Sequence, residues 1–492
     1  MTRALPPCPA SFNMADYVLT AGRGTPDEIA LEHHHPDRVT RYSFDQIEQA
    51  IRRAAAILVD HGIKDGDAVL LRLGNTPDFP IAYLAAIAMG ARPVPTSTQL
   101  TPTELDRIVD DLAPTAVLID AETSRPTKNV ATINVDALRR GTGRLADFIF
   151  GDPNRPAYMV YTSGTSGKPR AVVHAHRAIW ARQSMHDDWY GMTANDRILH
   201  AGAFNWTFTL GTGLMDPWSL GATAIIPADG TDPAQLPQLL HRSNATLFAA
   251  APSIYRKLLK SNGMPDLPHL RHGLSAGEKL PNATRARWTA QTGTLVHEAF
   301  GMTECSTFVS GSPVRPAPKG SLGFAQTGRR VSLQDNSIAI HKDDPGLMLG
   351  YLNQPQETAA KFNGDWFVTG DVAEIDDDGA VTYLGRDDDM INAGGLRVSP
   401  FEIETAVAAH PLIADVAAIA ITIKSDVDII AAFYSAADMI DEAELDALAA
   451  ETLATYKRPR LWLHQNALPR GANGKLQRRA LRLRYEISDD QT

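Results

Sequence analysis

Short apolar runs alternate with helix-patterned segments from residue 29 onward. This alternation constrains the fold more than any other feature of the chain. Ile29-Ala-Leu-Glu32 has the length and character of a strand. Ser43 then stands as N-cap to a segment whose apolar residues recur at helical spacing through Ile51, Ala55, Ile57 and Leu58. A turn at Asp65-Gly66 leads into a buried strand over 68–73. An apolar helix over 80–90 is closed by Gly90. A strand at 93–95, a helix over 104–112 and a strand over 116–119 follow. Strands and helices in this order predict a mostly parallel, doubly wound sheet. A second wound unit is predicted from strands over 221–226, 245–250 and 295–300 with helices over 233–243 and 253–259. Residues 320–384 are dense in Gly, Asp and Pro and predict shorter strands. Past Arg386 the pattern becomes α+β, with helices over 402–409, 442–452 and 476–485 and strands over 416–423 and 429–434. The expected architecture is α/β. A large N-terminal domain, 1–385, carries doubly wound sheets and a small β-rich subdomain. A joint at 386–388 leads to a small, mobile α+β C-terminal domain, 389–492.

Composition narrows the function. The chain has 492 residues, with 47 basic and 57 acidic side chains and a net charge of −10. An acidic, mixed surface carries no electrostatic footprint for nucleic acid. Cys8 and Cys305 are the only cysteines, so a disulfide framework is excluded and a reducing cytoplasm is expected. The first residues show no apolar signal-peptide core, and no window reaches the roughly 20 apolar residues of a membrane helix, so membrane insertion is not expected. His33, His34 and His35 precede Pro36 and read as a solvated loop rather than a metal site.

The chemistry centres on Tyr161-Thr-Ser-Gly-Thr-Ser-Gly-Lys-Pro-Arg170, placed after a strand over 157–161. Gly164 and Gly167 let the backbone approach a ligand, and successive N–H groups in such a loop form an anion-binding concavity. Thr162, Ser163, Thr165, Ser166 and Lys168 add donors, so the fitting ligand is a polyphosphate. The glycines are too close for a Walker A loop, and Pro169 follows the lysine. The expected location is the carboxyl end of a parallel strand, where open α/β sheets bind ligands.

This stretch resembles the signature loop of the adenylate-forming enzymes, which include acyl-CoA synthetases, adenylation domains of peptide synthetases and luciferases. The family loop continues with Lys-Gly where this chain has Arg170-Ala171. Four further motifs follow in family order. Phe300-Gly-Met-Thr-Glu304 sets Thr303 and Glu304 at a strand's end. A carboxylate beside a polyphosphate needs Mg²⁺ between them, so Glu304 is the metal candidate. Taken alone, the pentad fits a helix N-cap equally well. The resemblance implies adenine and ribose contacts from Gly277, Glu278, Lys279 and from Glu298, Ala299, Phe300, Gly301 and Met302. Trp366-Phe-Val-Thr-Gly-Asp371 resembles the Thr-Gly-Asp motif, whose carboxylate takes the ribose diol. The segment 385–404 supplies Arg386 for ribose or phosphate oxygens, Asp388 at the hinge position, and Gly394, Gly395 and Leu396 where the family threads pantetheine. Pro469-Arg-Gly-Ala-Asn-Gly-Lys475 supplies the adenylation lysine, a cation for charge developing in the transition state. Lys475, Thr303, Glu304 and Arg386 are thus the expected catalytic residues.

The acyl pocket is expected near His200–Gly213, from Phe204, Asn205, Trp206 and Gly211, with Gly301 opposite. Amino-acid-activating relatives place an Asp where Asn205 stands, and a buried ammonium without a partner is costly. Acetate-specific relatives place Trp where Gly301 stands, so a larger acid is expected: aromatic, branched, or of short to medium chain. Phe204, Trp206 and Phe208 suit either a pocket wall or ordinary core packing. The resemblance implies an ATP-dependent carboxylate–CoA ligase. ATP, Mg²⁺ and coenzyme A are the expected cofactors, a small carboxylic acid is the partner, and a homodimer is compatible with it. Two alternatives share the nucleotide motifs: an adenylation enzyme that loads a carrier protein, and a non-catalytic nucleotide-binding regulator.

Overall fold

A computed structural model of the chain describes residues 5–121, 123–140, 143–162, 170–260, 263–393, 396–424, 427–471 and 476–489. Two compact units divide it. One comprises Met1–Arg330 and Ile340–Asp365, the other Val331–Ala339 and Trp366–Thr492.

The first unit contains two wound sheets. In one, strands Arg92–Pro95, Ala68–Arg72, Ala116–Ile119 and Ala131–Asn134 run parallel in that spatial order. In the other, Val296–Met302, His272–Ala276, Leu247–Ala249, Arg197–His200, Thr223–Pro227 and Ile29–His34 are parallel neighbours. Antiparallel strand Val39–Ser43 follows Ile29–His34, and antiparallel Ser306–Ser310 pairs with Val296–Met302. Val69, Leu70 and Leu71 are all fully buried, as expected of a parallel strand covered on both faces.

The expected helix after Ser43 runs Phe44–Asp60. It starts with a capping box: Gln46 N donates to Ser43 Oγ at 3.3 Å, and Ser43 N donates to Gln46 Oε1 at 2.9 Å. Its buried face, including Ile47, Ile51 and Leu58, belongs to the same core as Asp78–Ala88, a helix apolar nearly all round. Expectation and structure differ over 233–243. A 3-10 turn, Pro233–Gln235, precedes the α-helix Leu236–Arg242. Pro237 has no N–H to give and its ring crowds the carbonyl four residues back, so the α-helix cannot extend through that turn.

The histidine tract differs too. His33 and His34 are buried in a strand rather than solvated. Their strand lies between Val39–Ser43 and Thr223–Pro227, and His34 Nε2 meets Glu32 Oε2 at 2.9 Å. Arg41 and Arg197 complete the shell of Glu32 at 2.8 and 2.7 Å. Its carboxyl is held down at about 2 by these partners, against the burial that opposes ionisation.

In the second unit, Trp366–Ile375 pairs antiparallel with Ala380–Arg386, and Ile391–Ala393 pairs with Leu396–Val398. Asp415–Lys424 and Val427–Ser435 form an antiparallel pair, as expected. Leu461–His464 adds to it in parallel, a strand too short to stand out in the sequence. Helices Pro400–Val407, Glu442–Thr452 and Arg478–Asp489 accompany this sheet. Ala418, Ile430, Ala432 and Tyr434 contribute to one cluster, and Ala417, Ile419, Ala431 and Phe433 to another, the period-two pattern of a strand pair covered on both faces. No helix of the described residues is long and apolar enough to cross a membrane.

Two enclosed imidazoles make the first unit acid-sensitive. Burial pushes His174 down to about 4 and His200 to about 3, from an ordinary value of 6.5. The unfolded chain takes up both protons first. Their contribution to stability is therefore complete above pH 6.5 and is lost as pH falls from there through 4 and 3. Urea titrations at pH 7 and pH 5 are expected to show a loss of about 1.4 kcal/mol per imidazole for each pH unit below the ordinary histidine value. Equal stabilities at the two pH values contradict this.

Candidate active site

The phosphate-type loop joins two antiparallel strands, Pro156–Thr162 and Arg170–Ala175, with Thr162 opposite Arg170. The strand that precedes it is therefore one arm of an antiparallel pair, not a member of a parallel sheet. Arg170-Ala-Val-Val-His-Ala has the β-branched character of a strand and folds straight back on its predecessor. Ser163, Gly164, Thr165, Ser166, Gly167 and Lys168 lie outside the described residues; Thr162 ends the first strand. Tyr161 donates its hydroxyl to Asp111 at 2.8 Å, tying the hairpin to the helix Pro102–Leu112. Arg170 pairs with Glu357 at 2.9 Å and lies over the Tyr351 ring at 5.3 Å, so its charge is engaged locally. Ala171 is buried in extended backbone, where glycine's freedom is not needed.

Thr303, Glu304 and Cys305 form a tight turn between Val296–Met302 and the antiparallel strand Ser306–Ser310. This excludes the helix N-cap alternative for Thr303. Three side chains fix the turn. His174 Nε2 donates to the Thr303 carbonyl at 2.7 Å. Arg329 donates to the Cys305 and Thr307 carbonyls at 3.0 and 2.8 Å, while its Nε donates to Asp344 at 2.8 and 3.1 Å. Tyr351 donates to Glu304 Oε1 at 2.8 Å, and Met348 N donates to the Glu304 carbonyl at 2.8 Å. Gly301 is required here by the backbone. A Cβ would fall 2.1 Å from the Ser306 carbonyl oxygen, so its lack of a side chain is explained without reference to substrate size.

Glu304 suits Mg²⁺. Tyr351 holds one carboxylate oxygen, and the other has no partner among the described residues. No cluster of three or more metal-ligating side chains occurs among the described residues. A single carboxylate sharing the ion with substrate phosphates is a common magnesium arrangement.

The nucleotide and acyl candidates separate by burial. Glu298 is buried, and its carboxylate accepts from Leu280 N at 2.6 Å and pairs with Arg285. Burial raises its carboxyl above the usual range, against these partners. The side chain thus fixes the loop carrying Gly277, Glu278 and Lys279. Gly277 has φ +96°, and Trp206 lies where its Cβ would be, at 2.6 Å. Ala299, Phe300 and Met302 lie in the strand that carries Glu298 and Gly301. Phe204 is fully buried with its ring centroid 5.4 Å from Phe79, and Phe208 is buried against Trp189 and His200; these two belong to the core. Trp206 and Asn205 are partly exposed. Gly211 abuts the Arg182 guanidinium, which is buried in an ion pair with Asp216.

In the second unit Asp371 and Arg386 face each other across the Trp366–Ile375 hairpin. Arg386 Nη1 donates to Asp371 Oδ2 at 3.0 Å, and Tyr383 donates to Oδ1 at 3.4 Å. Asp388 lies in the 3-10 turn Asp387–Asp389. Gly394 and Gly395 lie outside the described residues, between strands that end at Ala393 and begin at Leu396. Lys475 also lies outside them; Arg470 and Leu476 bridge antiparallel on either side of its segment. Tyr351, His174, Arg329 and Tyr383 carry no motif of their own, and only the folded chain brings them to the site residues.

A carboxylate pinned in a turn beside a phosphate-type hairpin, on wound parallel sheets, is an arrangement suited to nucleotide chemistry. Residues 19–352 match the AMP-binding enzyme family, and residues 402–475 match the AMP-binding enzyme C-terminal domain. A 3-hydroxybenzoate–CoA ligase of Aromatoleum sp. (strain CIB) is 28% identical over 475 residues, covering 89% of this chain and 91% of that one. The anthranilate CoA ligase AuaEII in complex with anthranoyl-AMP superposes with a TM-score of 0.89 at 25% identity, over 98% of this chain and 99% of that one. ATP-bound MatB from Rhodopseudomonas palustris gives 0.85 at 26% identity, over 96% and 99%. The chain belongs to the AMP-binding enzyme family, among its AMP-forming carboxylate–CoA ligases, which are ATP-binding acid–thiol ligases with the adenylate-forming fold.

Tyr351→Phe removes the side-chain hydrogen bond that orients Glu304. The Mg²⁺ concentration giving half-maximal ATP-dependent activity is expected to rise about tenfold. An unchanged magnesium requirement contradicts the assignment of Glu304.

Proposed function

We propose that this chain couples a carboxylic acid larger than acetate to coenzyme A, with an aromatic acid favoured over a branched or a short- to medium-chain one. The pinned Thr303–Glu304 turn carries the ligase reading, because it sets a carboxylate and a hydroxyl beside the hairpin whose loop has a polyphosphate-binding composition. The aromatic preference is supported by the 3-hydroxybenzoate and anthranilate ligases to which the chain is similar.

In this reading the acid's carboxylate attacks the α-phosphate of ATP, pyrophosphate leaves, and an acyl-adenylate stays bound. The loop from Thr162 to Lys168 receives the β- and γ-phosphates through backbone N–H groups and hydroxyls. Glu304 would hold Mg²⁺, which supplies charge neutralisation for the phosphates. Lys475 stabilises charge developing at the α-phosphate. Asp371 accepts from the ribose hydroxyls while Arg386 orients its carboxylate. Adenine is bounded by the 277–279 loop and the backbone of 298–302. The domain beginning at 389 then turns about Asp388, withdrawing Lys475 and presenting Gly394, Gly395 and Leu396, beside which the CoA thiol reaches the adenylate and releases AMP. Two chemical steps at one site give the mobile domain its purpose.

Two measurements test this. CoA-dependent AMP formation across acids from acetate through medium-chain fatty acids to benzoates is expected to be highest with an aromatic acid. AMP without thioester would instead point to a carrier-protein acceptor. Lys475→Ala is expected to cut adenylation by at least a hundredfold while sparing thioester formation from supplied acyl-adenylate, and Gly395→Leu is expected to do the reverse. Equal loss of both half-reactions in either variant contradicts the two-conformation scheme.

A further inference from the structure

A small, partly open cavity in the first unit lies beside the Thr303 turn, and none of the steps above uses it. Tyr83, Tyr158, His174, Arg182, Thr207, Thr303 and Ser306 contribute to its wall, and apolar side chains such as Leu210 close the rest. Its volume of about 20 Å³ has room for one water-sized group. Leu210 immediately precedes Gly211, and Gly211 abuts Arg182, so the cavity adjoins the candidate acyl wall.

The polar atoms here are incompletely paired. The Tyr83 hydroxyl and His174 Nδ1 have no hydrogen-bond partner among the described residues, and both side chains are essentially unexposed. The state of His174 follows from its other nitrogen. A carbonyl can only accept, so Nε2 carries the proton given to Thr303, and in the neutral ring Nδ1 is then a bare acceptor. Arg182 has five N–H groups. Nε and Nη2 are directed to Asp216, Tyr190 and Thr212, and Nη1 makes one bond, to Ser306. One Nη1 hydrogen is left without an acceptor among the described residues. An unpaired buried polar group is costly, so such a cavity is better filled than empty.

Charge decides what fills it. Asp216 neutralises Arg182 inside the protein, at 2.8 Å from Nε and 2.5 Å from Nη2, and the His174 ring is neutral. A second carboxylate or an ammonium would enter with no counter-charge. A hydroxyl matches the wall, because it donates to His174 Nδ1 and accepts from Tyr83 or Arg182. We propose that this cavity is the far end of the acyl pocket and takes an uncharged hydroxyl carried by the substrate, which makes the acid a hydroxylated one rather than a plain hydrocarbon acid or a dicarboxylate. The proposal rests on the ligase reading and narrows its substrate.

The test compares acids that differ by one hydroxyl: benzoate with 3- and 4-hydroxybenzoate, and hexanoate with 6-hydroxyhexanoate. Wild type and Tyr83→Phe are assayed for CoA-dependent AMP formation, and the same acids are titrated calorimetrically. Tyr83→Phe deletes only an oxygen that has no partner, so the fold is retained. Wild type is expected to favour one hydroxylated acid at least tenfold in kcat/KM and in affinity, and Tyr83→Phe is expected to reduce that ratio about tenfold. A preference for the unsubstituted acids, or a ratio that Tyr83→Phe leaves unchanged, means that the cavity holds only a structural water and overturns the proposal. Absence of turnover with every acid, alongside a calorimetric preference that Tyr83→Phe removes, retires the ligase reading and keeps the subsite.

Discussion

The guanidinium of Arg329 holds the candidate site in shape. Both it and Asp344 are fully enclosed, and the pair forms with Nε at 2.8 and 3.1 Å from the carboxylate oxygens. Nη1 donates to the Thr307 carbonyl and Nη2 to the carbonyl and Sγ of Cys305, on either side of Ser306, whose φ is +61°. A non-glycine residue in that left-handed region persists only where its surroundings over-determine it. A buried ion pair is not in itself a strong source of stability, but a guanidinium that also satisfies two carbonyls fixes a conformation. The turn it fixes presents Glu304. From there the links run outward, through His174 on Thr303 and Tyr351 on Glu304, to the hairpin that carries the phosphate-type loop. The result is a rigid frame on which the Glu304 carboxylate and the strands Pro156–Thr162 and Arg170–Ala175 keep a constant relation, the kind of fixed geometry that electrostatic catalysis requires.

Much of this was legible in the sequence because the signals are local. Ser43 announces a helix start through its own side chain, and the parallel strands read as unbroken apolar runs. The Thr303–Glu304 pair stands at a strand's end because an apolar run stops there. What escaped depends on partners far along the chain. Nothing in Val172-Val-His-Ala175 says that it folds back antiparallel on the preceding strand, since a strand's propensity does not state its direction. His33 and His34 read as solvated because their polarity is local, whereas the strands that bury them, and the Arg41 and Arg197 that reach the neighbouring Glu32, are brought there only by the folded sheet. Tyr351 lies 47 residues from Glu304, and Asp371 lies 15 from Arg386 across a hairpin. The aromatics of 204–208 show the same limit: their spacing suits a pocket or a core, and burial alone assigns Phe204 and Phe208 to the core.

The second unit repeats the principle with a different bond. Asp371 and Arg386 are both motif residues, and the strand register sets them directly opposite each other. A carboxylate held by an arginine on one side and a tyrosine on the other is already oriented, which lowers the ordering cost of any binding there. The first unit's cavity is the converse case, a set of polar atoms with no partner among the described residues.

The most direct test of the whole account is acid-dependent exchange of labelled pyrophosphate into ATP with no CoA present. The account requires a reversible first step at a complete adenylation site, so exchange should appear when a suitable acid is added and vanish when the acid is omitted. Thioester formation from acid, ATP and CoA without any such exchange would contradict an adenylate route, and with it the assignment of the pinned turn as the place where that chemistry occurs.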